Sequence, residues 1–102
     1  MELFIFGRFH ARAGHESAVE EALRNVVAPS REEAGCLSIQ AFRSAGDPRL
    51  FYIHSRWVDE AAFDHHAGLP HTVRFIERVQ RGYSKPVDAA RGIGLSSAIG
   101  NR

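Results

Sequence analysis

Residues 3 to 12 alternate without a break: Leu3, Ile5, Gly7, Phe9 and Ala11 fall on one side of an extended chain, and Phe4, Phe6, Arg8, His10 and Arg12 on the other. A helix would scatter this pattern around its circumference, so the segment reads as a β-strand with one apolar and one mixed face. The period then changes. After the turn Ala13-Gly14-His15, the apolar positions Ala18, Val19, Ala22, Leu23, Val26 and Val27 form a stripe at helical spacing. Pro29 is expected to kink or end that helix. Ser30 and Glu33 have the spacing of a capping box for one further turn, with Gly35 as its C-terminal cap.

Alternation returns from Cys36 to Arg43, with Leu37, Ile39 and Ala41 on one face and Cys36, Ser38, Gln40 and Phe42 on the other. The turn residues Ala45-Gly46-Asp47-Pro48 separate it from a second extended run, Leu50 to Val58, and the two predict a β-hairpin. Asp59 suits the N-cap of a helix in which Ala62, Phe63 and His66 share one face. Gly68-Leu69-Pro70 interrupts it, and Pro70 suits the first position of a continuation carrying Val73, Ile76 and Val79 to about Gly82. Pro86 to Leu95 is expected to add a short fourth strand. The order β-α-β-β-α-β predicts an α+β, ferredoxin-like antiparallel sheet with two helices on one face, in a single domain over residues 1–95 followed by a flexible tail over 96–102. Two helices cover only one face. Phe4, Phe6 and Phe42 then need another cover, and a second copy of the chain, a homodimer, is the expected one.

Charge and cysteine usage narrow the partners. Thirteen basic residues against twelve acidic ones leave a formal charge of +1, with the arginines scattered, so no footprint for nucleic acid or an anionic membrane is present. Cys36 is the single cysteine, which rules out an internal disulfide and a thiolate metal cluster within one chain. A reducing, cytoplasmic setting is expected, with Cys36 a small buried hydrophobe. No apolar run approaches the roughly 20 residues that span a bilayer. A cationic leader with a cleavage site is not recognisable either.

Four of six histidines, His54, His65, His66 and His71, lie between Leu50 and Phe75, beside the chain's one tryptophan. Imidazole exchanges protons near neutral pH, so the grouping points to proton transfer in an apolar pocket. His66 is the leading base. His71, following Pro70 at a helix start where the macrodipole disfavours imidazolium, is expected as a neutral acceptor or relay. His65 projects about 100° away around the helix and is expected in solvent; His54 falls on the opposite strand face, His10 at a strand edge and His15 in a turn. Trp57 shares a face with Phe51, Ile53 and Ser55, either as a stacking surface for an aromatic substrate or simply as core. Ser55 is a candidate donor to a substrate oxygen, Phe63 a further wall, and Arg8 or Arg56 a stabiliser of a phenolate or a salt-bridge partner. A three-histidine metal site from His66, His71 and His54 matches no common zinc spacing, and no nearby carboxylate completes it. No motif supports acyl transfer or nucleotide hydrolysis.

Gly14 opening the first helix, Glu33-Ala34-Gly35-Cys36-Leu37-Ser38 entering the second strand, the run Phe51 to Trp57, and Ala62, His66, Pro70 and His71 together resemble the antibiotic biosynthesis monooxygenase superfamily of dimeric α+β barrel proteins, which includes small quinol monooxygenases. The similarity spans Leu3 to about Val79. It implies an edge-closed dimer with a pocket between sheet and helices, and in many members oxidation of phenols or quinols by O2 with neither metal nor flavin. Other members degrade haem or isomerise small metabolites. Many carry a Glu two residues before the tryptophan, where this chain has Ser55; acid–base duty therefore shifts to histidine. The haem-degrading branch has an Asn on its first strand, whereas this strand offers Phe6, Gly7 and Arg8. The resulting expectation is a cofactor-free monooxygenase of a small aromatic quinol or polyketide-like phenol, with His66 and His71 catalytic and Trp57, Ser55, Phe63 and Arg8 binding substrate. A small-metabolite isomerase and a non-catalytic, aromatic-binding dimer are the alternatives. An RNA-binding domain of the same strand order is excluded by the absence of a basic-glycine-aromatic platform in Leu50 to Val58.

Overall fold

The strand that opens the chain ends up inside the sheet, paired on both edges, and the remaining elements are arranged around it. The computed structural model describes residues 1–80 and 84–96. Along the chain run β1 (Leu3–Ala11), α1 (Glu16–Arg31), β2 (Cys36–Arg43), β3 (Leu50–Trp57), α2 (Glu60–Ala67), α3 (Pro70–Arg78) and β4 (Ser84–Gly92). The four strands form one antiparallel sheet in the order β2-β3-β1-β4. This is the expected α+β, ferredoxin-like arrangement, with α2 and α3 standing where one interrupted helix was predicted. The expected end of α3 near Gly82, and all but the first residue of the expected tail, lie outside the described residues. Among the described residues no helix is long and apolar enough to cross a membrane.

The alternation in β1 and β3 sorts the side chains as expected. Leu3, Ile5 and Ala11 of β1, and Phe51, Ser55 and Trp57 of β3, are buried beneath the helices. The register pairs Leu3 with Trp57, Ile5 with Ser55 and Phe9 with Phe51, so neighbours on one face belong to one layer. Two apolar clusters result. The larger joins Ala11 and Phe51 to Val19, Ala22, Leu23 and Val26 of α1 and to Phe75 and Val79 at α3. The smaller is Leu3, Ile5 and Trp57, with Cys36, Ala62 and Phe63 packed against it. On the open face, Phe6 and Phe42 remain 50% and 48% exposed.

Several local expectations are corrected. Helix α1 runs through Pro29 to Arg31. Proline near a C-terminus removes one donor from the ladder, and here Ser30 Oγ donates to Val26 O at 2.6 Å while the Arg31 guanidinium donates twice to Ile39 O, at 3.2 and 3.0 Å, tying the last turn to β2. Ser30 is therefore a buried helical residue and not a cap. Gly35 is not a left-handed cap either, since among the described residues only Gly14 has a positive φ, at 86°. What Gly35 provides is clearance: a Cβ there would lie 2.5 Å from Ala62 Cβ.

In β2 the register slips between Cys36 and Ser38, leaving Leu37 as an extra residue. That bulge turns Cys36 toward Trp57 and leaves Leu37 exposed, the reverse of simple alternation. Helix α3 is rotated from the face predicted for it: Thr72 and Phe75 are buried, and so is Val79 at its C-cap, whereas Val73 and Ile76 are largely exposed. Packing against α1, with Phe75 meeting Phe9 edge-on at 5.5 Å, selects that face over the aliphatic one. The fourth strand begins earlier than expected, at Ser84, and pairs along β1.

Gly35→Ala should lower the thermal midpoint by an amount corresponding to roughly 1–3 kcal/mol, because the added methyl has to push α2 off the start of β2. Thermal unfolding of Gly35→Ala alone and combined with Ala62→Gly checks this, with partial recovery expected in the double variant.

Candidate functional site

The site begins where β3 ends. Trp57 is fully buried, and its Nε1–H donates to Ser55 Oγ two residues back, at 2.9 Å. Phe63, one turn into α2, meets the indole edge-on with centroids 5.8 Å apart, and the His66 ring lies 4.4 Å from it at a tilt of 37°. Helix α2 is placed by Asp59, whose carboxylate accepts from Ala62 N at 2.9 Å. Only His66 of its eight residues is buried. Trp57 therefore acts here as core, and the Ser55 hydroxyl is engaged by the indole.

A carboxylate joins these rings. Glu33 Oε2 lies 2.7 Å from His66 Nδ1 and 2.7 Å from His71 Nε2. Glu33 hangs in the turn between α1 and β2, which is held by Glu33 N–H donating to Ser30 O and Cys36 N–H donating to Glu33 O. His66 comes from α2, and His71 from the first turn of α3, entered through Pro70. The α1–β2 turn thus meets two consecutive helices, 33 and 38 residues further along the chain, at one oxygen. The side chains of Glu33, His66 and His71 are 10%, 8% and 17% exposed. Thr72 Oγ1 completes the surroundings, 3.3 Å from His66 Nδ1 and 3.4 Å from Nε2. Glu33 Oε1 is buried with no hydrogen-bond partner among the described residues.

Against the expectation that no nearby carboxylate completes a histidine set, Glu33 joins His66 and His71 with three potential ligand atoms within 4.8 Å of one another. A tetrahedral ion with bonds near 2.0–2.2 Å requires donor atoms roughly 3.3 Å apart, but the two contacts here have hydrogen-bond length, and the three candidate donor atoms spread to within 4.8 Å. His54, the third member of the metal set considered from sequence, points to the other face, against Phe6 and Phe4. Burial pushes the His66 imidazole below its ordinary proton affinity, with the Glu33 hydrogen bond and charge opposing that shift and the His71 charge adding to it. Burial also pushes the Cys36 thiol up, with the Glu33 charge as the next cause.

Of the residues expected at the site, Trp57, Ser55, Phe63, His66 and His71 converge. Arg8 does not. It lies on the open face of the sheet, in a shallow depression of about 330 Å³ shared with Phe6, Tyr52 and His54, because its strand parity is opposite to that of Ile5 and Gly7. Arg56 is on that face too, bonded to Glu2 at 2.7 Å and lying over Phe4. His65 is exposed, as its helical angle required. The residue missed was Glu33, 33 positions before His66 and assigned to a cap; no local spacing links it to either histidine. Access favours His71 over His66. A cleft of about 350 Å³ between α1 and α3 is lined by Val26, Pro29, Pro70, His71, Arg74 and Phe75 among others, whereas His66 is sealed behind Trp57.

This scaffold, with His66 set against the buried tryptophan and joined to His71 through Glu33, places the molecule among small ferredoxin-like α+β proteins with a polar cluster under the helical layer. The chain belongs to the antibiotic biosynthesis monooxygenase family, whose sequence profile matches residues 3–78. It is 30% identical over 83 residues, 81% of each chain, to Rv0793 from Mycobacterium tuberculosis, which bears a provisional monooxygenase name. The solved structure of Rv0793 superposes with a TM-score of 0.89 over 96% of this chain and 99% of that one, at 26% identity. PA3566 from Pseudomonas aeruginosa gives 0.87 at 35% identity, covering 93% and 95%. At 13% identity, a point mutant of SnoaB from Streptomyces nogalater, a cofactor-independent oxygenase, shares the fold with a TM-score of 0.83, covering 95% and 96%.

The lowered proton affinity of His66 sets a sign for acid stability. Above its ordinary value of 6.5 the ring is neutral in folded and unfolded chains alike; as pH falls through that value the unfolded chain binds a proton that the folded chain resists, so stability is lost progressively down to the lower folded-state value. Thermal midpoints between pH 7.5 and 5 should fall on acidification, and His66→Asn, which keeps a donor near the Nδ1 position, should flatten the upper part of that slope.

Proposed function

We propose that the chain is a cofactor-independent oxygenase of a small, electron-rich aromatic, a quinol or polyketide-like phenol, with O2 as co-substrate. The observation that carries this reading is the Glu33-linked pair of imidazoles, one of which borders an open cleft, in a chain of a family whose members bear monooxygenase names. SnoaB supports it as a scaffold that can work without a cofactor.

O2 reacts slowly with closed-shell molecules because of spin, and the barrier falls once the aromatic is deprotonated and able to donate one electron. In this reading His71 accepts the phenolic proton, and the anion passes one electron to O2. The aryloxyl radical and superoxide then recombine at a ring carbon, the peroxide takes back the proton held by His71, and the resulting hydroperoxide loses water. A hydroquinone plus O2 gives a hydroxyquinone plus water, so atoms and electrons balance with no external reductant. His66 stands behind as the second imidazole of the pair. Trp57, Ser55 and Phe63 form the wall that holds it, and substrate contact with them requires α2 to shift outward. Arg74, which lines the same cleft as His71, takes the phenolate-stabilising role first considered for Arg8.

The half-exposed Phe6 and Phe42, on a sheet face that no described helix covers, support a homodimer in which this face meets its copy. A single, partly buried cysteine is compatible with work in the reducing cytoplasm.

Oxygen-electrode assays of chelator-treated protein with hydroquinones, naphthoquinols and anthrones are expected to reveal uptake with at least one class. His71→Ala should reduce that uptake by about 10²-fold or more; an unchanged rate removes His71 from the mechanism. In sedimentation at micromolar concentration the protein should run as a dimer, and a monomer would count against the covered-face assignment.

A further inference from the structure

The histidine pair has a third member whose role neither the family assignment nor the proposed reaction specifies. Glu33 is not among the residues that line the α1–α3 cleft beside His71, yet a single oxygen of its carboxylate holds both imidazoles at 2.7 Å. We propose that Glu33 is a positioning residue that sets the tautomers of both histidines, making His66 Nε2 and His71 Nδ1 the proton-accepting atoms of the site. The assignment rests on reading the pair as proton acceptors, but its test below needs no substrate.

The argument starts from donor and acceptor chemistry. A carboxylate oxygen only accepts, so the proton of each short contact resides on nitrogen. His66 is thereby held as the Nδ1–H form and His71 as the Nε2–H form, and the opposite ring nitrogen of each keeps its lone pair. The two histidines are thus presented in different tautomers by one acceptor. No described residue bonds to His71 Nδ1, the nitrogen left to the ring that borders the α1–α3 cleft. His66 Nε2 has only Thr72 Oγ1 nearby, at 3.4 Å.

Electrostatics point the same way. With the carboxylate ionised and both rings neutral, the cluster buries one negative charge, and Oε1 carries its share without a hydrogen bond among the described residues. When either ring takes a proton, the cluster becomes neutral overall. For His66 the Glu33 hydrogen bond and charge offset part of what burial costs the imidazolium, and burial still leaves its proton affinity below the ordinary value. Cys36 at the start of β2 feels the Glu33 charge and, opposing it, that of Arg31 at the end of α1; His66 and His71 are the titratable groups that face the carboxylate from α2 and α3. A carboxylate fixing an imidazole's tautomer and favouring its protonated form is the arrangement by which serine hydrolases orient their base. Here one carboxylate serves two.

The test is nuclear magnetic resonance of protein labelled with 15N-histidine, using long-range nitrogen–proton correlations that distinguish Nδ1–H from Nε2–H. Signals are assigned with His66→Asn and His71→Asn. At pH 7.5 the full-length chain should show His66 as Nδ1–H and His71 as Nε2–H. In Glu33→Gln, whose amide both donates and accepts, at least one ring should change tautomer or become a mixture, and Glu33→Asp should return the original pattern at least in part. Finding His66 as Nε2–H in the unaltered protein overturns the proposal. So does an unchanged pattern in folded Glu33→Gln, even with a lowered thermal midpoint, since that would make Glu33 mere structural glue. Should Glu33→Gln fail to fold, the unaltered protein decides, and any pattern other than His66 as Nδ1–H with His71 as Nε2–H overturns the proposal. With any quinol that turns over, Glu33→Gln should lower kcat at least about tenfold while KM moves less than about threefold. Absence of turnover with every quinol in the unaltered protein would defeat the oxygenase reading and leave the tautomer assignment standing.

Discussion

Two hydrogen bonds of 2.7 Å to one carboxylate oxygen tie together the α1–β2 turn, α2 and α3. Hydrogen bonds to charged groups contribute roughly 1.5–3 kcal/mol each, against a total stability for small domains of about 5–15 kcal/mol. The comparison matters because α2 is short: of its eight residues only His66, a partner of Glu33, is buried, with Ala62 and Phe63 partly buried against the smaller cluster. Removing the carboxylate would leave two buried imidazoles without their acceptor. A helix too short to be stable alone is thus positioned by the same polar contacts that give the site its chemistry.

Trp57 shows how one residue serves packing and site geometry together. Its indole is sealed by Ser55, Phe63 and His66, so it contributes apolar burial to the smaller core cluster and presents a flat surface that fixes the His66 ring. An imidazole stacked on a tryptophan and hydrogen-bonded at one nitrogen has few remaining rotational choices. The arrangement keeps His66 dry and neutral by burial, while His71, at the other end of the carboxylate, meets the cleft. Burial and access are divided between the two rings.

The errors in reading the sequence share a cause. Pro29, Leu37, Val73 and Ile76 were each placed by a local rule, whether proline as a breaker, strict alternation or an aliphatic helix stripe. In each case a partner distant in sequence overrode it. Arg31 bonding to Ile39 O carries α1 past its proline. The bulge at Leu37 brings Cys36 to Trp57. Phe75 meeting Phe9 turns α3 away from Val73 and Ile76. Local preferences are worth a few tenths of a kcal/mol to about 3 kcal/mol per residue, and burial of one large side chain is of the same order, about 1.5–3 kcal/mol, so tertiary contacts can decide such contests.

Periodicity was sufficient for the element order, the faces of β1 and β3, the separation of His65 from His66 and the convergence of Trp57, Phe63 and His66, because each follows from the repeat of a strand or helix acting over a short stretch of chain. The meeting of Glu33 with His66 and His71, and the placing of Arg8 behind the sheet from them, came only from the tertiary structure. A carboxylate on a turn has no periodic signature. Its partners are chosen by how the helices lie across the sheet, and that is set by packing contacts between residues remote from one another in the chain.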